Sequence, residues 1–407
     1  MELTPPAANV DAIQFIVRLA RALHTAGTPS HQIEDGLALV AVRLGVQAQF
    51  LATPTSIMIS SGSWLNERIH LLRLEPGDQH LGRLADVNEV TRAVVRGDMS
   101  PADGSRRLED IERAPGRYGE LVTVLAMGLS SAAAARFLGG GYAELWTAAF
   151  IGLMIGLLGS AASKRPAVGR MFDPLAAFVA AVIAGSMGHL FGNLSVFLAT
   201  LAGIIILIPG FTLTVAITEL SNRHLVAGTA RLMGAFATFV VIAIGVAIGN
   251  QVVNRIAGEA PAPDPQQLPG WTLALALVAA PLSFTVLLKA KPRDAPWILI
   301  TCILGFFGGR LGAELLGPEL GVFLAAVVVG LAGSSYFAWF RRPPAILRVP
   351  GILMLVPGSV GFRGLTALLD RQVVSGVETA FRMIVIAVAL SAGLLIASVV
   401  APSRMGK

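Results

Sequence analysis

The sequence predicts an α-helical integral membrane protein: ten transmembrane helices in a 5+5 inverted repeat, the fourth and ninth discontinuous, preceded by a small α+β cytoplasmic domain. Three observations carry this. The 407 residues are 54% hydrophobic, only 14% charged, and have a mean hydropathy of +0.70, which excludes an ordinary soluble protein. The charge is uneven: residues 1–120 hold 15 acidic and 12 basic side chains, a soluble-domain density, whereas residues 121–407 hold 10 and 19. Residues 203–228 also align with residues 351–376, ungapped at an offset of 148, with ten identities in 26.

Residues 1–117 form the cytoplasmic domain of this reading. Ile13, Phe15, Ile16, Leu19, Ala20 and Leu23 fall on one helical stripe within residues 9–26, the period of an amphipathic helix. Gly27 tolerates a left-handed cap that ends it. Thr28 and Pro29 read as an N-cap and a first-turn proline, opening a second helix to about Leu44. After Gly45, the segments VQAQFLAT, TSIMISS and RIHLLRLE read as three short strands with turn residues between them. Helices at 78–97 and 100–114 complete a unit large enough for one core.

Ten spans follow, at 121–138, 142–161, 174–190, 194–219 and 226–250, then 270–288, 296–315, 319–339, 345–369 and 376–400. About 20 apolar residues cross the hydrocarbon as a helix. The fourth and ninth are longer, and each has a Pro-Gly pair near its middle. The first repeat is 118–257 and the second 271–407, joined by a proline-rich surface linker, 258–270. Five is odd, so the second copy enters the bilayer upside down, a plan found in many secondary transporters. Alternate loops hold 17 and five Lys or Arg; the richer side faces the cytoplasm. Both termini therefore lie there, and the cell (inner) membrane is the expected location. No signal peptide is expected, because Glu2, Pro5, Pro6 and Asp11 precede any apolar run. The pI near 10.1 reflects loop cations and not a nucleic-acid surface. A single cysteine, Cys302, excludes disulfides and cysteine zinc sites within one chain.

A Pro-Gly break frees backbone groups that must be buried in protein or line a wet cavity. Pro209 and Gly210, with Pro357 and Gly358 in the second copy, therefore mark the expected substrate site. The half-helix restarting after each break offers N–H groups and a positive dipole end to a carboxylate. Thr212, Thr214 and Thr218 add hydroxyls, with Ser359 and Thr366 as polar counterparts. Arg363, six residues past Pro357, is either a partner for that carboxylate or a side chain snorkelling to the outer interface. Glu219 ends the fourth span and is replaced by Ala367 in the repeat. That asymmetry suits a proton-carrying carboxylate, and an interfacial Glu fits it equally. Glu378 and Arg382 are expected to pair with each other, being four residues apart on a helix. Gly152/Gly156 and Gly305/Gly309 read as packing faces.

His31, Glu34 and Asp35 share one face of the second helix. A base, a metal site or a substrate gate could use such a trio; a solvated face near the helix start is the plainer account. No second motif completes a metal site, and no phosphate loop or cofactor signature is present.

The stretch GTPSHQIEDGLALVAVRLGVQAQFLATPTSIMIS (27–60), followed by five spans and a second five-span unit, resembles the threonine/serine exporter family in its fused form. LIPG (207–210) and LVPG (355–358) resemble that family's repeated span motif, and Gly27, Pro29, Ser30, Glu34, Thr53, Pro54 and Thr55 match its front end. The resemblance implies proton-driven export of small hydroxylated amino acids, threonine and serine, from the cytoplasm. The expectation is thus a transporter and not an enzyme, with amino acids, protons and the bilayer as partners. Two alternatives stay open on the residues alone. One is a membrane-anchored hydrolase, for which Ser30 beside His31 is the only adjacent nucleophile–base candidate; the other is a passive small-solute channel. A homo-oligomer also stays open.

Overall fold

A computed structural model describes residues 7–401, apart from 63–66, 166–168, 170, 259–264, 356–357 and 370–371. The chain is mostly helical. Its N-terminal unit comprises α1 (Ala7–Thr25), α2 (Ser30–Arg43), β1 (Ala48–Thr53), β2 (Ser56–Ser61), β3 (Arg68–Arg73), α3 (Leu81–Arg96) and α4 (Pro101–Arg113). The strands form an antiparallel sheet in the order β1-β2-β3, with Thr53 opposite Ser56 across a two-residue turn. Alternation along β2 sends Ile57 and Ile59 inward, against Phe15, Ile16, Leu19, Ile33, Leu37 and Leu108. Helix starts and stops follow local chemistry: Ser100 caps α4 ahead of Pro101, and Gly97 ends α3 in the left-handed region. At α2 the expected cap is displaced by one residue. Pro29, extended at ψ 147°, takes the capping position, Ser30 is the first helical residue, and the Thr28 hydroxyl has no partner.

Among the described residues twelve further helices make the second part. They are α5 (Glu120–Phe137), α6 (Tyr142–Ser163), α7 (Phe172–Phe191), α8 (Val196–Gly203), α9 (Gly210–Ser221) and α10 (Leu225–Ala257), then α11 (Trp271–Leu287), α12 (Ala295–Leu316), α13 (Gly321–Phe340), α14 (Ala345–Leu355), α15 (Gly358–Leu369) and α16 (Val373–Val400). Among the described residues eight segments are long and apolar enough to cross a membrane: 120–137, 142–163, 172–191, 225–257, 292–316, 321–340, 345–367 and 373–400. Helix α11 is apolar but shorter. The expected fourth span is two separate helices, α8 and α9, divided by residues 204–209. Helix boundaries repeat down the chain: α9 at 210–221 and the start of α10 at 225 recur, 148 residues on, as α15 at 358–369 and the start of α16 at 373.

Small side chains set the packing. Ala176, Ala177, Ala180, Ala181 and Ala184 are fully buried along α7, and α10 lies against them through glycines. A Cβ built on Gly249 would stand 2.7 Å from Ala181 Cβ, and one on Gly245 only 2.5 Å from the Pro174 carbonyl oxygen. Gly152 and Gly156 do the same for α5, meeting Ser131 Oγ at 2.6 Å and Val124 Cα at 2.9 Å. Large apolar residues such as Leu121, Leu125 and Leu129 point outward. Inside small, outside large is the arrangement expected where lipid is the solvent. The expected Glu378–Arg382 pair is corrected: Arg382 Nε instead reaches Glu319 Oε1 at 2.9 Å, because a carboxylate on the neighbouring loop stands closer.

The N-terminal unit is fastened to the helical block at two places. At one, the start of α3 meets the segment between α11 and α12: Leu81 N–H donates to the Leu288 carbonyl (2.9 Å) and Gly82 N–H to that of Lys289 (3.1 Å). Tyr118 OH donates to the Ala290 carbonyl (2.8 Å), Lys291 pairs with Asp86, and Arg92 donates to the Arg341 carbonyl (2.9 Å). The other place is the functional joint described next.

Candidate functional site

The two sequence breaks meet. Pro209, at φ −78° and ψ 40°, stands before α9, and Gly210 N–H folds back to the Ile208 carbonyl at 2.8 Å. A Cβ built on Gly358 would touch Ile208 Cγ2 at 2.9 Å and Gly210 Cα at 3.7 Å. Only glycine allows backbones this close. Pro357 lies outside the described residues.

A cavity of about 460 Å³ opens beside α15. Ser359, Arg363, Thr366, Gln372, Ser375 and Thr379 line it, with Phe197 and Arg382. Three residues expected from the second copy thus come together. Arg363 is exposed, and its guanidinium carbon sits 6.0 Å from the centre of the Phe197 ring. Among the described residues it has no carboxylate partner. The guanidinium suits an incoming carboxylate, whereas Thr366 Oγ1 and Thr379 Oγ1 already donate to the Arg363 and Ser375 carbonyls, at 3.0 and 2.7 Å, and offer an incoming group only their lone pairs.

The first-copy hydroxyls are placed elsewhere. Thr214 Oγ1 donates to the Gly210 carbonyl and Thr218 Oγ1 to that of Thr214, each one turn back along α9, and Thr218 Oγ1 also lies 3.0 Å from Ser391 Oγ. Thr212 is half-buried in the first turn of α9. None of the three lines the cavity. Arg382, the lining residue of α16 nearest to Ser391, is nine residues from it, so the Thr218 level is about 14 Å along that helix from the near edge of the cavity at 1.5 Å per residue.

At that level stands the second constellation. Glu219 is fully buried. Its carboxylate accepts from Arg231 Nε at 3.0 and 3.2 Å and from Ser30 N–H, in the first turn of α2, at 2.9 Å. Beside it, His31 and His224 pack ring to ring at 5.9 Å. Glu34 accepts from Ala52 N–H at 2.7 Å and stands 3.4 Å from His224 Nδ1. The solvated-face account of His31 and Glu34 is therefore corrected, because the helical block covers that face; Asp35 alone stays exposed. His24 Nε2 contacts the Pro54 carbonyl at 3.0 Å, joining the Thr53-Pro54-Thr55 turn to the same cluster. Burial pushes the His31 imidazole down to about 4, with His224 and Arg231 adding repulsion. His24 is lowered as well, chiefly by burial.

Among the described residues Ser30 Oγ and His31 Nδ1 are both buried without hydrogen-bond partners, so they are not bonded to each other as a nucleophile–base pair would be. Sequence reasoning missed several buried or half-buried charges, among them Asp294, Lys291, Glu144 and Arg348. Arg348 donates to Ser334 Oγ (2.8 Å) and the Gly330 carbonyl, and Glu144 accepts from Gly141 N–H (2.8 Å) and Ser195 N–H (2.7 Å). A charge inside an apolar run is the signal that marks Glu144.

Two family models cover most of the chain. The threonine/serine exporter model ThrE matches residues 14–253, and a second threonine/serine exporter model, ThrE_2, matches residues 272–400. The chain belongs to the threonine/serine exporter family. That family is described as one of membrane exporters. Curated relatives carry the name pheromone-regulated membrane protein 10. The Candida albicans (strain WO-1) protein is 25% identical over 90% of this chain, and the match spans 34% of that protein. The Debaryomyces hansenii protein is 25% identical over 91% of the chain and 37% of its own length, and that of Saccharomyces cerevisiae (strain YJM789) 26% over 85% and 46%. The chain thus spans between a third and a half of the length of these relatives. No solved structure matches. Membership and the apolar helices make it a multi-pass membrane protein.

Proposed function

We propose that this exporter is a secondary active, proton-coupled carrier of small amino acids, threonine and serine among them. The observation that carries the reading is the cavity beside the second break, where Ser359, Arg363 and Thr366 converge. Arg363 receives the substrate carboxylate, and the hydroxyls of Ser359 and Thr366 receive its polar groups. Pro209, Gly210, Pro357 and Gly358 form the break around which the substrate is passed, with Thr212, Thr214 and Thr218 on the inner half of the route. In this reading ten spans form a 5+5 inverted repeat, with α8–α9 and α14–α15 as the broken members. The excess of Lys and Arg on one set of loops supports a cytoplasmic N-terminal unit and cytoplasmic termini, in the cell (inner) membrane.

Proton coupling enters at Glu219. Its negative charge holds Arg231 and the start of α2 together. A proton there cancels the charge and loosens both, so the protonation state and the closure of the inner side are linked. His31 and Glu34 tie the N-terminal unit to the same gate through His224.

The test is L-threonine counterflow in proteoliposomes. A carrier exchanges labelled threonine faster when unlabelled threonine is loaded inside; a channel shows no such acceleration. Absence of counterflow with both threonine and serine would overturn the reading.

A further inference from the structure

Four of the six buried side-chain atoms that lack a hydrogen-bond partner among the described residues fall within residues 24–31: His24 Nδ1, Thr28 Oγ1, Ser30 Oγ and His31 Nδ1. Buried polar atoms are nearly always paired, and a cluster of exceptions needs a cause. These four border the Glu219–Arg231 pair, since Ser30 N–H binds Glu219 and Arg231 perturbs both imidazoles. His24 donates Nε2–H to the Pro54 carbonyl, which leaves its Nδ1 as an acceptor awaiting a donor.

The 148-residue offset supplies the cause. It carries the cavity residues Thr366, Ala367, Gln372, Ser375 and Thr379 onto Thr218, Glu219, His224, Ala227 and Arg231. The joint is the repeat-mate of the cavity. In one copy the space is open; in the other the start of α2 stands against it, with Ser30 N–H on Glu219 and the His31 ring beside His224.

We propose that this joint is a second binding site, for a small zwitterion with carboxylate and ammonium on one carbon. The ligand carboxylate takes the Arg231 guanidinium and the Ser30 N–H from Glu219. The released Glu219 carboxylate takes the ammonium, and Thr28 Oγ1, Ser30 Oγ and His24 Nδ1 receive the remaining donors. The four atoms are sealed, so the ligand reaches them as α2 lifts from α9. The proposal shares with the exporter reading only its ligand class, and the two fail separately.

Equilibrium binding of radiolabelled L-threonine to the full chain in detergent tests it, with L-lactate and acetate as competitors. Two saturable sites are expected. Changing Thr28→Val and Ser30→Ala together weakens one of them about tenfold or more, whereas the hydroxyl-preserving pair Thr28→Ser and Ser30→Thr retains it and shows that the fold is intact. Arg363→Gln removes only the other. Lactate, lacking an ammonium, competes more weakly at the joint than threonine itself. The proposal is overturned if the Thr28→Val/Ser30→Ala chain binds both equivalents unchanged, which would mean the unpaired atoms hold only water. It is equally overturned if the wild-type chain has no site that survives Arg363→Gln.

Discussion

Glu219 and Arg231 stand on successive helices, and one guanidinium nitrogen reaches both carboxylate oxygens, at 3.0 and 3.2 Å, with the carboxylate fully buried. A pair of this kind is costly to break from one side. Glu219→Ala leaves Arg231 without its charge partner and is expected to destabilise the protein by roughly 3–5 kcal/mol. Glu219→Leu with Arg231→Met removes both charges and is expected to lose far less. Thermal unfolding of the three proteins in detergent measures the difference; equal losses would show that the pair contributes through volume and not charge.

Coupling gives a second, functional readout. In Glu219→Gln, threonine counterflow is expected to persist, while accumulation driven by an imposed pH gradient is lost. Retained pH-driven accumulation would remove Glu219 from the coupling step.

Arg363→Gln is expected to weaken carboxylate substrates by about 10- to 100-fold, the worth of a charge-assisted contact. Ser359→Ala removes one neutral hydrogen bond and is expected to cost less, roughly three- to tenfold. Concentration dependence of counterflow separates these effects from a change in maximal rate.

Gly245→Ala probes the packing of α7 on α10. Its new Cβ would meet the Pro174 carbonyl oxygen at 2.5 Å, and backbone cannot rotate away as a side chain can. The helices must separate, with an expected cost of about 1–3 kcal/mol, read as a lower melting temperature. Gly258→Ala meets no atom within 4 Å but adopts φ +83°; its smaller cost is backbone strain alone.

Acid should loosen the N-terminal unit. The His31 and His80 imidazoles are both pushed down to about 4, first by burial. Around His31 stand His224 and Arg231, with Glu34 on the far side of His224; around His80 stand Arg83, Lys289 and Arg117. A free histidine titrates near 6.5 (approximately). Between the two values the unfolded chain binds protons that the folded chain refuses, so stability rises with pH across that window and falls as pH drops. From pH 7 to 5 each histidine contributes a loss of up to about 2 kcal/mol. His80→Asn preserves a cap for Arg83 N–H and should flatten its share of the slope in thermal unfolding against pH.

The parts of this molecule that depend on neighbours in sequence were readable from it. Pro209-Gly210 breaks its helix through its own covalent geometry, and the strand alternation of Ile57 and Ile59 follows from a period of two. The three-residue spacing of His31 and Glu34 identified a shared face, but not what covers it. Ser30 reaches Glu219 across 189 residues, and no local pattern encodes such a partner. The exchange of Glu219 for Ala367 between repeats was the one available hint. Thr214 and Thr218 were legible as polar residues on α9, yet their hydroxyls are satisfied one turn back on their own helix, which a residue list does not reveal. Arg348 reads as a loop cation and lies buried because α14 begins just before it.

Leu288, Lys289 and Arg341 belong to one half of the helical block, Glu219 and His224 to the other, and a single N-terminal unit grips all five. A strut across a seam resists every slide along that seam. Lys289 and Arg341 hold left-handed backbone at φ 52° and 56° while offering their carbonyls to that strut, so the grip on their side carries its own tension. In the proposed carrier, exchange between the two faces would have a mechanical tempo set by how readily the strut releases, and a ligand binding the N-terminal unit from water would govern that tempo without touching the route through the lipid.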